Sequence, residues 1–368
     1  MAITIKNSTP KKDGFYFPGE WEQQAKCWVG WPFRTDVWRA GAKPGQKQML
    51  EVIKAIAEFE EVNVLVPREH YKSARAAIPE HKNIKVVEMS CDDGWFRDIG
   101  PTFLKNGKGE IRGVDWQFQA WGGLEEGFYF PWDQDDLAAR KILEIENVDR
   151  YRAPIILEGG AIFGDGEGTV LVTESSELEH NQNNMSKDEI EIQLKEYLGA
   201  EKIIWIKNGV AYDSVWGHVD LVCSFARPGE VLLSWSDNMD DENYQLMREN
   251  YEILENTTDA KGRKLKINKL YLPDPMYMTK EEAESFDVVE DTTGWKEGDR
   301  IAGSYINYFM GNGCIVAPLY GDTKYDECAL ETFRKVFPER KVVGVMAREL
   351  AITGGCIHCM TQQQPKAD

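Results

Sequence analysis

The chain has 368 residues, 42% of them hydrophobic, with 43 Lys and Arg against 62 Asp and Glu and a formal net charge of −19. This aromatic-rich composition excludes general disorder, and no apolar run is long enough to cross a bilayer as a helix. The acidic balance repels phosphate backbones and anionic membranes, so neither nucleic acid nor a membrane is an expected partner, while a small cation is drawn towards such a surface.

The first twenty residues hold no apolar stretch followed by a small-residue cleavage site, which predicts no secretory signal and a cytoplasmic protein. In that reducing compartment the seven cysteines, at 27, 91, 223, 314, 328, 356 and 359, are expected to be free thiols.

Apolar residues recur at helical spacing over 46–60, 69–78, 133–147, 187–198, 242–256 and 324–336, and β-branched runs follow several of these stretches after a short break. In "YKSARAAIPEHKNIKVVEM" and "ALETFRKVFPERKVVGVM" an amphipathic helix ends at an apolar-Pro-Glu step, and a basic turn leads into a β-run. The order helix, strand, polar loop returns in "LAARKILEIENVDRYRAPIILEGG" and "IEIQLKEYLGAEKIIWIKNGVAYDSVWGHVD". Four copies of one α/β unit are therefore legible. No linker or low-complexity tract divides them, so a single domain over residues 1–368 is expected.

Each polar loop carries a residue able to do chemistry: Asp98 in "CDDGWFRDIGP", Glu158 in "LEGG", His218 and Asp220 in "GHVD", and Cys359 in "GGCIHCMTQQQP". A closed ring of such units would bring these loops to one axis; ordinary alternation of helices and strands would not.

Cys356 and Cys359 are spaced as a redox pair, but a proline and too little chain follow for the helix that lowers the first thiol's pKa. A zinc site would have to recruit His180 and His218, since no second closely spaced Cys/His pair exists. The third reading makes Cys359 a nucleophile. If 356–361 is extended, Cys356 and His358 both face away from Cys359, which leaves His358 structural. His218 would then serve as the base, on the same side of a strand as Asp220. Three carboxylates, Asp98, Glu158 and Asp220, beside a thiolate disfavour an oxyanion and suit a guanidinium, whose planar edge donates paired charge-assisted hydrogen bonds.

At these residues, and along nearly the whole chain, the sequence resembles the agmatine deiminase family of guanidino-group modifying enzymes. The likeness includes "STPKKDGFYFPGEWE", "WGWPFRTDVWR", "DDGWFRDIGPTF", "LEGGAIFGDGEGTVLVTE", "GHVD", "SYINYFMGNGCIVAPLYGD" and "IHCMTQQQP". The resemblance implies a five-bladed ββαβ propeller, hydrolysis of agmatine to N-carbamoylputrescine and ammonia, no metal or organic cofactor, and a homodimer or homotetramer. It also implies that Cys359 is the nucleophile, His218 the general acid and base, and Asp98 and Asp220 the carboxylates that grip the guanidinium. Glu158 would orient His218, and Trp95 would wall the aliphatic linker.

The sequence departs from the family pattern beside these positions, at Gln119, Ala161, Phe163, Gly164, Gln182, Ser214, Val215, Trp216, Thr353 and Cys356. These departures keep a second reading open, in which a divergent relative acts on another guanidine or amidine, or only binds a cation.

Overall fold

The computed structural model describes residues 2–180, 182–289 and 294–367. Among these residues the chain is mixed α/β, and five sheets share one plan. Thr102–Asn106 and Ile111–Gln117 run antiparallel, helix Ala138–Glu146 crosses over, and Arg150–Ile156 returns parallel to its neighbour. Phe163–Gly164, Thr169–Thr173, helix Lys187–Leu198 and Lys202–Ile206 repeat the order. So do Cys223–Arg227, Glu230–Trp235, helix Asn243–Glu255 and Lys266–Tyr271. The next copy is Phe309–Gly311, Cys314–Leu319, helix Thr323–Val336 and Lys341–Met346. In the remaining sheet Gln24–Gly30 pairs in parallel, across helix Lys43–Ala57, with Glu61–Val66, and its antiparallel neighbour is Thr361–Pro365 from the far end of the chain.

The six helical stretches expected from periodicity all contain helix, but the unit occurs five times and not four. Helix Arg68–Ala77 and strand Ile84–Glu88, taken above as one copy, instead add a fourth, parallel strand to the sheet of Glu61–Val66. The copy ending at Lys266–Tyr271 has no continuous apolar run to announce it, because that half-exposed strand places Lys266, Asn268 and Lys269 among its apolar residues, on both faces.

Local chemistry explains the helix boundaries. Ser186 and Glu189 form a reciprocal cap at the start of Lys187–Leu198, and Gly199 ends it in the left-handed conformation. Asp322 accepts from the backbone N–H groups of Lys324 and Tyr325 at the start of Thr323–Val336. Helix Lys43–Ala57 starts with Pro44 in its first turn and buries Met49, Val52, Ile53, Ile56 and Ala57, the one-sided stripe that a crossover helix presents to its sheet. All seven cysteines are unpaired. No helix among the described residues is long and apolar enough to cross a membrane.

The pairing of Thr361–Pro365 with Gln24–Gly30 is locked by side chains. Buried Trp28 donates its indole N–H to Gln364 Oε1 at 2.8 Å, and the Gln364 amide donates to Glu146 at 2.9 Å. Gln364→Leu leaves the Trp28 N–H unsatisfied out of water and is expected to lower stability by about 1–3 kcal/mol. Urea unfolding checks this: the midpoint should fall while the slope stays constant.

Candidate active site

In each of the five units a tight turn immediately precedes the first strand of the antiparallel pair. Asp98 lies in the one-turn helix Phe96–Ile99 ahead of Thr102–Asn106, and Glu158 stands just before the turn Gly159–Ala161 ahead of Phe163–Gly164. His218 and Asp220 lie at the start of the one-turn helix Val219–Val222 ahead of Cys223–Arg227. Cys359 sits in the turn before Thr361–Pro365. Asn307 occupies the corresponding place before Phe309–Gly311.

Two local expectations are corrected here. "GHVD" is not a strand, and residues 357–360 form a turn instead of an extended segment. The alternation argument that separated His358 from Cys359 therefore does not apply. Both side chains reach the same carboxylate: His358 Nδ1 is 2.8 Å from Asp220 Oδ2, and Cys359 Sγ is 3.5 Å from it.

The turns bring Asp98, Glu158, His218, Asp220 and Cys359 together, each with at most 4% of its surface exposed. His218 lies between two carboxylates, with Nδ1 3.9 Å from Asp98 Oδ1 and Nε2 3.8 Å from Glu158 Oε2. Gly160 is the floor where they meet. A Cβ there would stand 2.7 Å from His218 Nδ1, 2.9 Å from Asp98 Oδ1 and 3.0 Å from Asp220 Oδ2, so no larger residue fits without displacing the cluster.

Supporting contacts fix each group. Asp98 accepts from the Gly160 N–H at 2.8 Å and from the Trp121 indole at 3.0 Å. Asn307 donates to Cys359 Sγ at 3.0 Å, and its Oδ1 accepts from the Cys359 N–H at 3.3 Å. Gln119 donates to Gln182, which donates to Glu158 Oε1, at 2.7 and 3.1 Å. These two glutamines, met above as departures from a family pattern, thus form a relay that holds a site carboxylate. Phe163, another departure, stacks on the His358 ring with centroids 5.8 Å apart.

A cleft of about 600 Å³ leads to Cys359. Its walls include Trp95, Trp121, Phe128, Tyr129, Val215 and Trp216. Trp95 is held by a 2.7 Å hydrogen bond from its indole to buried Asp93, which also accepts from Trp38, and the two indoles stack. Trp216 adopts a left-handed backbone (φ 62°) and stacks on His180. His180 therefore belongs to the cleft rim. Among the described residues, no three His, Cys, Asp or Glu side chains are grouped so as to hold a metal ion.

Electrostatics follow from burial and from like charges. Burial alone would lower the His218 pKa, but Asp98, Glu158 and Asp220 outweigh it and raise the value to about 10, so the imidazole is a cation at neutral pH. Burial raises Asp98 to about 6, with His218 opposing and Asp220 and Glu158 adding to the rise. Asp220 is also penalised by burial, yet the hydrogen bond and charge of His358, with His218, hold it below the ordinary carboxylate range. The Cys359 thiol is pushed well up, first by burial and then by Asp220 and Asp98. Asp220 Oδ1 and His218 Nδ1 are buried with no hydrogen-bond partner among the described residues.

Because the thiol's pKa is raised, the empty protein should resist iodoacetamide at Cys359 near neutral pH, with a rate that keeps climbing past about pH 8.5, the ordinary thiol value. Peptide mass spectrometry across a pH series checks this; a plateau below that value would contradict it.

A family model of Porphyromonas-type peptidyl-arginine deiminase matches residues 16–365. The agmatine deiminase of Pseudomonas aeruginosa is 50% identical over 360 residues, covering 97% of each chain. The solved agmatine deiminase of Enterococcus faecalis superposes with a TM-score of 0.95 at 45% identity over 100% of both chains. The C. jejuni agmatine deiminase, at 24% identity with a TM-score of 0.81 over 96% of this chain and 97% of its own, shares the fold. With a family match over this span and relatives this similar, the chain belongs to the Porphyromonas-type peptidyl-arginine deiminase family.

Proposed function

We propose that the protein is an agmatine deiminase, hydrolysing the guanidinium of agmatine to give N-carbamoylputrescine and ammonia. The observation that carries this reading is the buried, ionised Asp220, whose Oδ1 lacks a donor among the described residues while its Oδ2 lies 3.5 Å from a thiol. An orphaned acceptor of this kind requires a donor, and a guanidinium supplies planar N–H groups together with an electrophilic carbon.

The empty cleft keeps Cys359 protonated, because Asp220 and Asp98 oppose a third negative charge. A bound guanidinium offsets those two carboxylates, so the thiol gives up its proton to water and the thiolate forms beside the carbon it attacks. Sulfur adds to that carbon and gives a tetrahedral adduct. The His218 imidazolium donates a proton to one nitrogen, which leaves as ammonia, and an amidino-thioether remains on Cys359. Neutral His218 then takes a proton from water, whose oxygen adds to the same carbon. The C–S bond breaks, the adduct's hydroxyl proton passes to the departing sulfur to restore the thiol, and the carbamoyl product is released. Glu158 and Asp98 hold the imidazole between its two tasks. Positioning by the carboxylates contributes up to about 7–11 kcal/mol in well-oriented reactions.

Trp95 forms a wall for the aliphatic linker, as the aromatic lining of the cleft allows. The same reading takes the five sheets as blades of one closed propeller domain over residues 1–368. The repeated antiparallel-then-parallel order supports this, as does the pairing of Thr361–Pro365 with Gln24–Gly30, which would complete the ring. A cytoplasmic homodimer or homotetramer completes the proposal.

Purified protein should release ammonia from agmatine much faster than from arginine. Cys359→Ala should lower turnover by a factor of about a thousand or more. That variant should still gain thermal stability with agmatine, since binding to the folded state alone raises its melting temperature. Agmatine-dependent stabilisation of the wild type without ammonia release would instead support the cation-binding reading.

A further inference from the structure

His358 takes no part in the mechanism above, yet both its ring nitrogens are 2.8 Å from carboxylates. Nδ1 meets Asp220 Oδ2, and Nε2 meets Glu20 Oε1. Arg97 Nη1 converges on the same Glu20 oxygen at 3.3 Å. The side chains of Arg97, Glu20, His358 and Asp220 are each at least nine-tenths buried, so bulk water screens none of these contacts. A neutral imidazole has one N–H and one lone pair, and satisfies only one of two ionised carboxylates. Arg97 favours the ionised form of Glu20, and the unpaired Asp220 Oδ1 shows no proton-accepting partner that would favour a carboxylic acid there. The arrangement balances when His358 carries both protons, giving a string of alternating sign: Arg97 positive, Glu20 negative, His358 positive, Asp220 negative.

We propose that Glu20 is a positioning residue that, backed by Arg97, holds His358 as an imidazolium and thereby keeps Asp220 ionised for the substrate cation. This rests on the reading of Asp220 as a guanidinium-binding carboxylate. Glu20 lies in the segment before strand Gln24–Gly30, and His358 lies one residue before the thiol, so the string joins the two ends of the described chain behind the site. The groups facing Asp220 are His358, His218, Cys359 and, at longer range, Arg97, Asp98, Glu20, Asp213 and Cys356. Those facing His358 are Asp220, Glu20 and Arg97, with Phe163 stacked on its ring. Of these groups, only Glu20 hydrogen-bonds Nε2, so only its charge demands a proton there.

Nitrogen-15 NMR of the imidazoles in the substrate-free protein, with His358 assigned by its loss in His358→Gln, should show both ring nitrogens protonated from about pH 6 to about pH 9, past the ordinary histidine value near 6.5. A His358 ring that is neutral by pH 7.5 overturns the proposal. In Glu20→Gln, the KM for agmatine should rise about tenfold with kcat nearly unchanged, and the acidic limb of kcat/KM should move up by about one pH unit, tenfold per unit. A folded Glu20→Gln enzyme with the wild-type KM and pH profile also overturns it. If that variant does not fold, the NMR result on the wild type decides. Should the wild type release no ammonia from agmatine, the functional reading fails, and the protonation state of His358 still tests the charge string.

Discussion

The structure depends on keeping like charges close together out of water. Asp98, Glu158 and Asp220 are buried around a single glycine floor beside a thiol. Each buried ion carries a desolvation penalty of several kcal/mol unless charges and hydrogen bonds compensate it. Two imidazoles provide the internal compensation. His218 lies between Asp98 and Glu158, and His358 lies between Asp220 and Glu20. Among the described residues the compensation is incomplete at Asp220 Oδ1, His218 Nδ1 and Glu20 Oε2, which are buried without a hydrogen-bond partner. On the proposed reading a planar cation satisfies Asp220, so the selectivity of the site and its electrostatic strain have the same origin.

Five repetitions of one supersecondary unit make this crowding possible. A turn at the start of each antiparallel pair needs few residues and exposes little backbone, so polar side chains from five distant segments can meet without a loop of unpaired peptide groups among them. The short helices at Phe96–Ile99 and Val219–Val222 also direct Asp98 and Asp220 inward from their first turns, where negative charge is favoured.

Much of this was legible in the sequence, for identifiable reasons. Periodic helices such as Lys187–Leu198 carried their own caps, and Asp98, Glu158, His218, Asp220 and Cys359 lay in polar loops after recognisable strands. The strand Lys266–Tyr271 was not legible, and with it the loop that follows and its Asn307, the residue at the equivalent turn before Phe309–Gly311, which hydrogen-bonds the nucleophile. A full count would have singled it out. Glu20 and Trp121 left no such signal: their importance lies in contacts with His358 and Asp98 that only the folded chain brings about. Residues 357–360 form the turn that starts the strand and are not part of it, and alternation of side chains has no meaning in a turn. Gln119 and Gln182 looked like losses one by one; only together do they form a chain of amides that ends on Glu158.

Thr361–Pro365 pairs with Gln24–Gly30, and the thiol sits two residues ahead of it. During synthesis the carboxylates therefore leave the ribosome well before the sulfur that will react beside them. A polypeptide that stops before residue 359 carries the acidic groups but lacks the sulfur that attacks a guanidine. Reactivity is conferred only when the later-made strand docks against the earlier-made one, because that docking sets the sulfur beside its carboxylate.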